Sequence, residues 1–131
     1  NAMDVGDPSN FGRIQEIYST DKERKKHLTS YSFSDEETRK AMKEIKKKSD
    51  YIADPHGAVG YLGLKKYFKN KKGQGIFIET AHPVKFLDVV EPVLNESIEY
   101  PQQIKNVIDK EKISIKISTY KELNDYLVTT K

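Results

Sequence analysis

Cysteine is absent from the 131 residues. Its absence excludes disulfide scaffolds, cysteine-ligated zinc, iron–sulfur clusters and thiol nucleophiles. No apolar run approaches the roughly 20 residues of a membrane-spanning helix. No charged-then-apolar leader precedes a small-residue cleavage site either, so the expectation is a cytoplasmic protein with no membrane partner. Arginine is scarce, with Arg13, Arg24 and Arg39 against 20 lysines. Arg carries the bidentate fork that reads phosphates and guanine edges, whereas Lys on an exposed helix keeps a protein in solution. The lysine-rich stretches 43–48 and 69–72 are interrupted or flanked by acids and turn residues. They read as solvated faces, and with a net charge of only +3 no nucleic-acid partner is expected. The motif inventory is equally sparse. There is no Gly-x-Ser-x-Gly elbow, no Gly-x-x-x-x-Gly-Lys-Ser/Thr phosphate loop and no Gly-x-Gly-x-x-Gly turn. The three histidines include no pair at i, i+4 spacing, so no metal site is expected.

What remains suits a folded domain. Charged residues make up 33%, hydrophobic ones 36% and aromatics 10%, and such rings need burial to offset chain entropy. The length by itself suits one domain. Residues 1–3 read either as a vector scar or as native sequence, and residues 4–10 as a turn rich in Gly, Pro, Ser and Asn. A helix is expected next, with Phe11, Ile14, Ile17 and Tyr18 on one face. Residues 21–29 read as charged and exposed, and 31–33 as a short extended piece. Ser34-Asp35-Glu36-Glu37 is a capping box opening a helix with Thr38, Ala41, Met42 and Ile45 as its narrow apolar stripe. Asp54-Pro55 opens a third helix over 55–68, with Asp as N-cap and Pro at the first position. This helix is apolar on more than one side, which predicts burial over much of its circumference. Gly57, Gly60 and Gly63 recur inside it, and three glycines in one helix imply a close approach by a packed sheet or by a ligand.

Ile76-Phe77-Ile78 predicts a short strand buried on both faces, spanning about 75–80. Ala81-His82-Pro83 leads from it into a helix carrying Phe86, Leu87, Val90, Val93 and Leu94, which Pro92 should bend or end. A short helix is expected over 101–109. The alternation over 113–117 reads as a half-exposed strand or an extended arm, and Thr119 caps a last helix with Leu123, Tyr126 and Leu127 inward. The fold class is therefore α/β and helix-rich, with about six helices. In open α/β sheets ligands bind where a strand ends and a helix begins. One segment offers that geometry, Thr80-Ala81-His82-Pro83, and two of the three histidines, His56 and His82, lie beside a proline at a helix start.

These residues carry a resemblance. Ala2-Met3-Asp4-Val5, Asp7-Pro8-Ser9-Asn10-Phe11-Gly12-Arg13, Asp35-Glu36-Glu37-Thr38 and Asp54-Pro55-His56-Gly57-Ala58-Val59-Gly60-Tyr61 occur in order. Thr80-Ala81-His82-Pro83-Val84-Lys85-Phe86 follows and is the most specific. Together they resemble the last quarter of the threonine synthase family, pyridoxal-phosphate enzymes of fold type II. The resemblance implies conversion of O-phospho-L-homoserine and water to L-threonine and phosphate, a lyase reaction of threonine biosynthesis. It implies that Thr80 hydrogen-bonds the cofactor's pyridine nitrogen and that Asp54 lies close to the pyridine edge. His82, Lys85 and His56 then lie near the site, and Asn10 and Arg13 face the substrate phosphate. Each has an ordinary alternative: helix capping for Asp54, His82 and Asn10, and a solvated or salt-bridged side chain for Lys85. The family's Schiff-base lysine and phosphate-gripping loop lie upstream of the matched portion, and none of the 20 lysines here has a matching context. Residues 1–131 are thus expected to be one incomplete C-terminal unit. Alone it should be inactive, bind no cofactor and self-associate; its partner is the remaining N-terminal part of the same enzyme. The competing expectation is a stand-alone helical interaction or regulatory module that has lost the chemistry.

Overall fold

Charge order and capping residues set the first two helices. The computed structural model describes Pro8 and residues 10–129, so the expected turn over 4–10, apart from Pro8 and Asn10, and the resemblance at 2–5, 7 and 9 lie outside the described residues. Helix α1 (Phe11–Ile17) follows Asn10, whose side chain makes no cap hydrogen bond. Its apolar stripe is only partly covered: Ile14 and Tyr18 are half-buried, whereas Phe11 and Ile17 are exposed. Helix α2 (Asp21–His27) occupies a stretch read only as charged. The Thr20 hydroxyl accepts from Glu23 N–H at 3.2 Å, and the Glu23 carboxylate accepts from Thr20 N–H at 3.3 Å. Acids in its first turn and Arg24, Lys25, Lys26 and His27 in its last complement the helix dipole.

The described residues group into two compact units, one within 1–99 and one within 100–131. The core of the first comes from α3 (Asp35–Ser49), α4 (Pro55–Phe68) and α5 (Leu87–Leu94), with a 3₁₀ turn (Pro83–Phe86) leading into α5. The expected capping box opens α3: Glu37 N–H donates to the Ser34 hydroxyl at 3.3 Å, and Ser34 N–H to the Glu37 carboxylate at 2.7 Å. Thr38, Ala41, Met42 and Ile45 are its buried stripe, as the spacing predicts. Ala41, Met42 and Ile45 pack with Ala53, Ala58, Val90 and Ile98. Pro92 lies inside α5, which ends two residues later with Asn95 in the left-handed region at φ 55°.

Helix α4 departs from expectation. It is capped by Asp54 and started by Pro55, yet only Gly57 and Ala58 are buried. Val59 and Tyr67 are exposed. A polar clamp on its outer side ties it to α3. The Glu44 carboxylate accepts from Lys48 Nζ at 2.5 Å, Lys65 Nζ at 2.7 Å and the Tyr61 hydroxyl at 2.8 Å. Hydrogen bonds from Lys48, then Lys65, then Tyr61 push this carboxyl down to about 2. A depressed carboxyl contributes stability above its ordinary value of 4.5 and loses it as pH falls through about 2. Because both lysines are solvent-screened, Glu44→Gln should cost about 1 kcal/mol at pH 7. Urea unfolding of the full-length protein across a pH series should show variant and wild type converging near pH 2.

Neither expected strand forms: among the described residues there is no β-ladder, over 75–80 or over 113–117. The reason differs from place to place. Residues 76–80 alternate in burial: Phe77 and Glu79 are partly covered, whereas Ile76 is 91% and Ile78 78% exposed. The apolar run is therefore covered on one side only, and a strand needs a neighbouring chain to pair with. Over 113–117, Ile113 is 92% and Ile115 61% exposed and only Ile117 is half-buried, so most of the alternating face lies uncovered.

In the second unit, α6 (Gln102–Lys105) is only four residues long and continues as turns to Lys110, shorter than the helix expected over 101–109. Helix α7 (Tyr120–Thr129) is capped by Thr119, whose hydroxyl accepts from Glu122 N–H at 3.2 Å. Leu123, Tyr126 and Leu127, expected inward, are exposed. Among the described residues no helix is long and apolar enough to cross a membrane.

Candidate functional site

The start of α4 and the end of segment 76–80 meet at two carboxyl groups. Asp54 is fully buried. One of its carboxylate oxygens accepts from Gly57 N–H at 2.8 Å, which satisfies an otherwise orphaned donor of the first helical turn. The other lies 3.1 Å from His56 Nδ1. The backbone N–H of Asp54 donates to Glu79 Oε1 at 2.8 Å, across 25 residues of chain. Glu79 Oε2 is buried with no hydrogen-bond partner.

Gly57 is what lets the two segments approach so closely. A Cβ built there would stand 1.7 Å from Glu79 Oε2 and 2.4 Å from Glu79 Cδ. A Cβ on Gly60 would meet the Phe77 side chain at 3.4 Å, whereas one on Gly63 would meet only Tyr31 at 3.9 Å. The close approach expected from the three glycines is thus made by segment 76–80 at the first two positions. The carboxyl of Glu79 is pushed up by burial, with the neighbouring Asp54 side chain adding to the shift and His56 opposing it. Tyr51 is likewise pushed up, by burial and then by the negative charges of Glu79 and Asp54. Lys48, Tyr51, Tyr61 and Phe77 line a cleft that reaches Glu79.

Asp54 and His56 are joined directly, and Thr80 adjoins them through its chain neighbour Glu79. Thr80 is exposed, as are Ile76 and Ile78. His82 is exposed, and its Nδ1 accepts from Val84 N–H at 3.2 Å, the helix-start hydrogen bond given above as its ordinary alternative. Lys85 is exposed within the 3₁₀ turn. His56 stacks obliquely on Phe86 with centroids 5.1 Å apart, linking the starts of α4 and α5. Asn10 and Arg13 share the first turn of α1, where Arg13 N–H donates to Asn10 carbonyl at 3.1 Å. No hydrogen bond or ion pair among the described residues joins either of them to the Asp54–Glu79 cluster. Among the described residues no three His, Asp or Glu side chains gather as metal ligands.

Sequence reading missed Glu79, which it took only as the end of a strand. The donors present fit one edge of the cofactor implied by the resemblance. Thr80 offers an exposed neutral hydroxyl, and one oxygen of each neighbouring carboxyl is occupied by a backbone N–H.

Comparison with known proteins places this site in context. A family model described as threonine synthase, C-terminal, matches residues 57–126. The threonine synthase of Buchnera aphidicola subsp. Acyrthosiphon pisum is 36% identical over 129 residues, 98% of this chain and 30% of its own length. That of Escherichia coli strain K12 is 36% identical over 109 residues, 83% of this chain and 25% of its own. The crystal structure of threonine synthase from Escherichia coli superposes with a TM-score of 0.78 at 30% identity, covering 99% of this chain and 30% of that one. This chain therefore spans about a quarter to a third of the length of the proteins it matches.

Proposed function

The chain belongs to the threonine synthase family, and from that premise we propose that it is the C-terminal portion of an enzyme converting O-phospho-L-homoserine and water to L-threonine and phosphate. Pyridoxal phosphate, when bound, supplies the electron-accepting ring that this lyase chemistry requires. The contribution of this chain is one wall of the cofactor site. Thr80 holds the pyridine nitrogen through a neutral hydroxyl, which leaves that nitrogen largely unprotonated. Asp54 stands by the same edge while capping α4, and His56, His82 and Lys85 surround it. Arg13, with Asn10 beside it, is suited to the substrate phosphate because a guanidinium grips phosphate oxygens in pairs. The covalent cofactor attachment and the phosphate grip of the cofactor come from the N-terminal part of the enzyme, which is this chain's partner. That partner also covers Ile76 and Ile78, and without it the same surface favours self-association. Residues 1–131 act as one incomplete portion of a cytoplasmic enzyme, and an isolated chain is inactive.

The observation that carries this reading is the placement of Thr80. It ends a segment whose inner side is fastened to α4 and whose outer side is open, with Ile78 78% exposed. Thr80→Val keeps the shape and removes the hydroxyl. In the full-length protein this change should shift the absorbance of the bound cofactor. It should also cut turnover about 10- to 100-fold, the effect of losing one hydrogen bond to a charge-bearing ring. Wild-type absorbance and turnover in the variant would overturn the assignment.

A further inference from the structure

Glu79 has no place in the reading above, yet it is the group that fastens the Thr80 segment. Its Oε1 accepts from Asp54 N–H at 2.8 Å, and its Oε2 is buried with nothing to accept from. An ionised carboxylate is an acceptor only, and an unpartnered one in a buried site is costly. The group beside it is another carboxylate, Asp54, itself fully buried and already accepting from Gly57 N–H. Two carboxyls in one buried site cannot both stay ionised at low cost; a single proton held between them removes the repulsion and turns the orphaned oxygen into a donor.

We propose that Glu79 and Asp54 share one proton, and that this pair is a clasp through which Glu79 positions Thr80 against the cofactor. Glu79 is a positioning residue: it touches Asp54 and the start of α4, and it acts on the chemistry only through the residue that follows it. The positioning role rests on the assignment of Thr80 to the pyridine nitrogen; the shared proton does not. The direction of the Glu79 titration agrees: burial holds its proton on most strongly and the Asp54 side chain adds to this, against the opposing hydrogen bond from Asp54 N–H. The other groups facing it are His56 from α4, Tyr51 from the preceding loop and Lys48 from α3.

A carboxyl whose proton is held more tightly in the folded state stabilises the fold below its ordinary value of 4.5. That stability is lost as pH rises through the raised value, where the clasp carries two negative charges. Glu79→Gln replaces the shared proton by an amide N–H that does not titrate. The thermal midpoint of the cofactor-free full-length protein should therefore fall in wild type relative to Glu79→Gln, by about 2–4 °C between pH 5 and pH 8.5. Tyr51 and Lys48, pushed up from ordinary values of 10.0 and 10.5, do not titrate in this range, and carrying His56→Gln in both proteins removes the one facing imidazole. With cofactor bound, Glu79→Gln should keep the wild-type absorbance, whereas Glu79→Ala should shift it in the direction of Thr80→Val.

Parallel pH curves for wild type and Glu79→Gln would overturn the shared proton. A wild-type absorbance in Glu79→Ala, despite a lowered midpoint, would overturn the positioning role and leave Glu79 a packing residue. Failure of the Thr80 assignment is recognisable separately. It appears as an unaltered Thr80→Val spectrum alongside an intact pH difference between wild type and Glu79→Gln.

Discussion

Gly57→Ala should destabilise the full-length protein by about 1–3 kcal/mol, and the same substitution should become neutral or stabilising once Glu79 is truncated to alanine. In an ordinary first helical turn, Gly→Ala gains about 0.5–1 kcal/mol through lower chain entropy in the unfolded state. Here the added methyl would lie 1.7, 2.4 and 2.7 Å from three atoms of the Glu79 carboxyl group. The carboxyl is the far end of a flexible side chain, so it can swing away and the clash itself is avoidable. What cannot be avoided is the loss of its 2.8 Å bond from Asp54 N–H, which leaves a part-buried donor unsatisfied. In a Glu79→Ala background the obstacle and the bond are both gone, and only the entropic gain remains. A double-mutant cycle read by urea unfolding measures the sign change directly. Equal costs for Gly57→Ala in the two backgrounds would mean that Gly57 is not there to admit Glu79.

The local signals in the sequence and the long-range ones fared differently, for a physical reason. Capping is written in three or four consecutive residues, so Ser34…Glu37 and Asp54-Pro55 located the starts of α3 and α4 correctly. The same code is present in Thr20…Glu23 and marks the start of α2, although the surrounding charges also suit a solvated loop. The Thr38, Ala41, Met42 and Ile45 stripe was legible because α3 has one wet side and one buried side. That 76–78 would form no strand was not legible, because hydrophobic runs report the surroundings a segment prefers and this chain covers only one of its sides: Phe77 is half-buried, Ile76 and Ile78 are not. The same holds for α7, whose apolar stripe is exposed.

The candidate site divides along similar lines. Asp54 as an N-cap and His82 at a helix start could be named from their neighbours in sequence, and both hydrogen bonds are present. Glu79 could not, because its meaning comes from a bond spanning 25 residues. A weak signal existed nonetheless. Gly57 and Gly60 are three helical residues apart, a rise of about 4.5 Å, and Phe77 and Glu79 are two extended residues apart, about 6.6 Å. Two small positions and two inward side chains at roughly matched spacing describe one segment laid along one helix. The twofold reading of those glycines, sheet or ligand, resolves toward the segment once Glu79 and Phe77 are seen against them.

Asp54→Ala should be the costliest single change in this region, at about 2–4 kcal/mol. The residue is fully buried and serves three neighbours at once. Removing the carboxylate deletes the N-cap of α4, which typically costs about 1 kcal/mol. It also leaves Gly57 N–H as a buried donor with no acceptor, for about 1–3 kcal/mol more, part of which overlaps the cap term. It further strips Glu79 of the neighbour with which it shares a proton. Asp54→Asn separates these losses. The amide oxygen can still accept from Gly57 N–H, Asn being as good a cap as Asp, so the stability cost should stay within about 1 kcal/mol. Its N–H₂ can donate to Glu79 Oε2, which then no longer needs a proton of its own. Asp54→Asn should therefore unfold at nearly the wild-type urea midpoint near pH 5 while losing the stability decline that wild type shows toward pH 8.5. Comparable losses for alanine and asparagine at pH 5 would show that the charge of Asp54, rather than its hydrogen bonds, holds the start of α4. A decline that persists in the asparagine variant would place the titrating group elsewhere than in the Asp54–Glu79 pair.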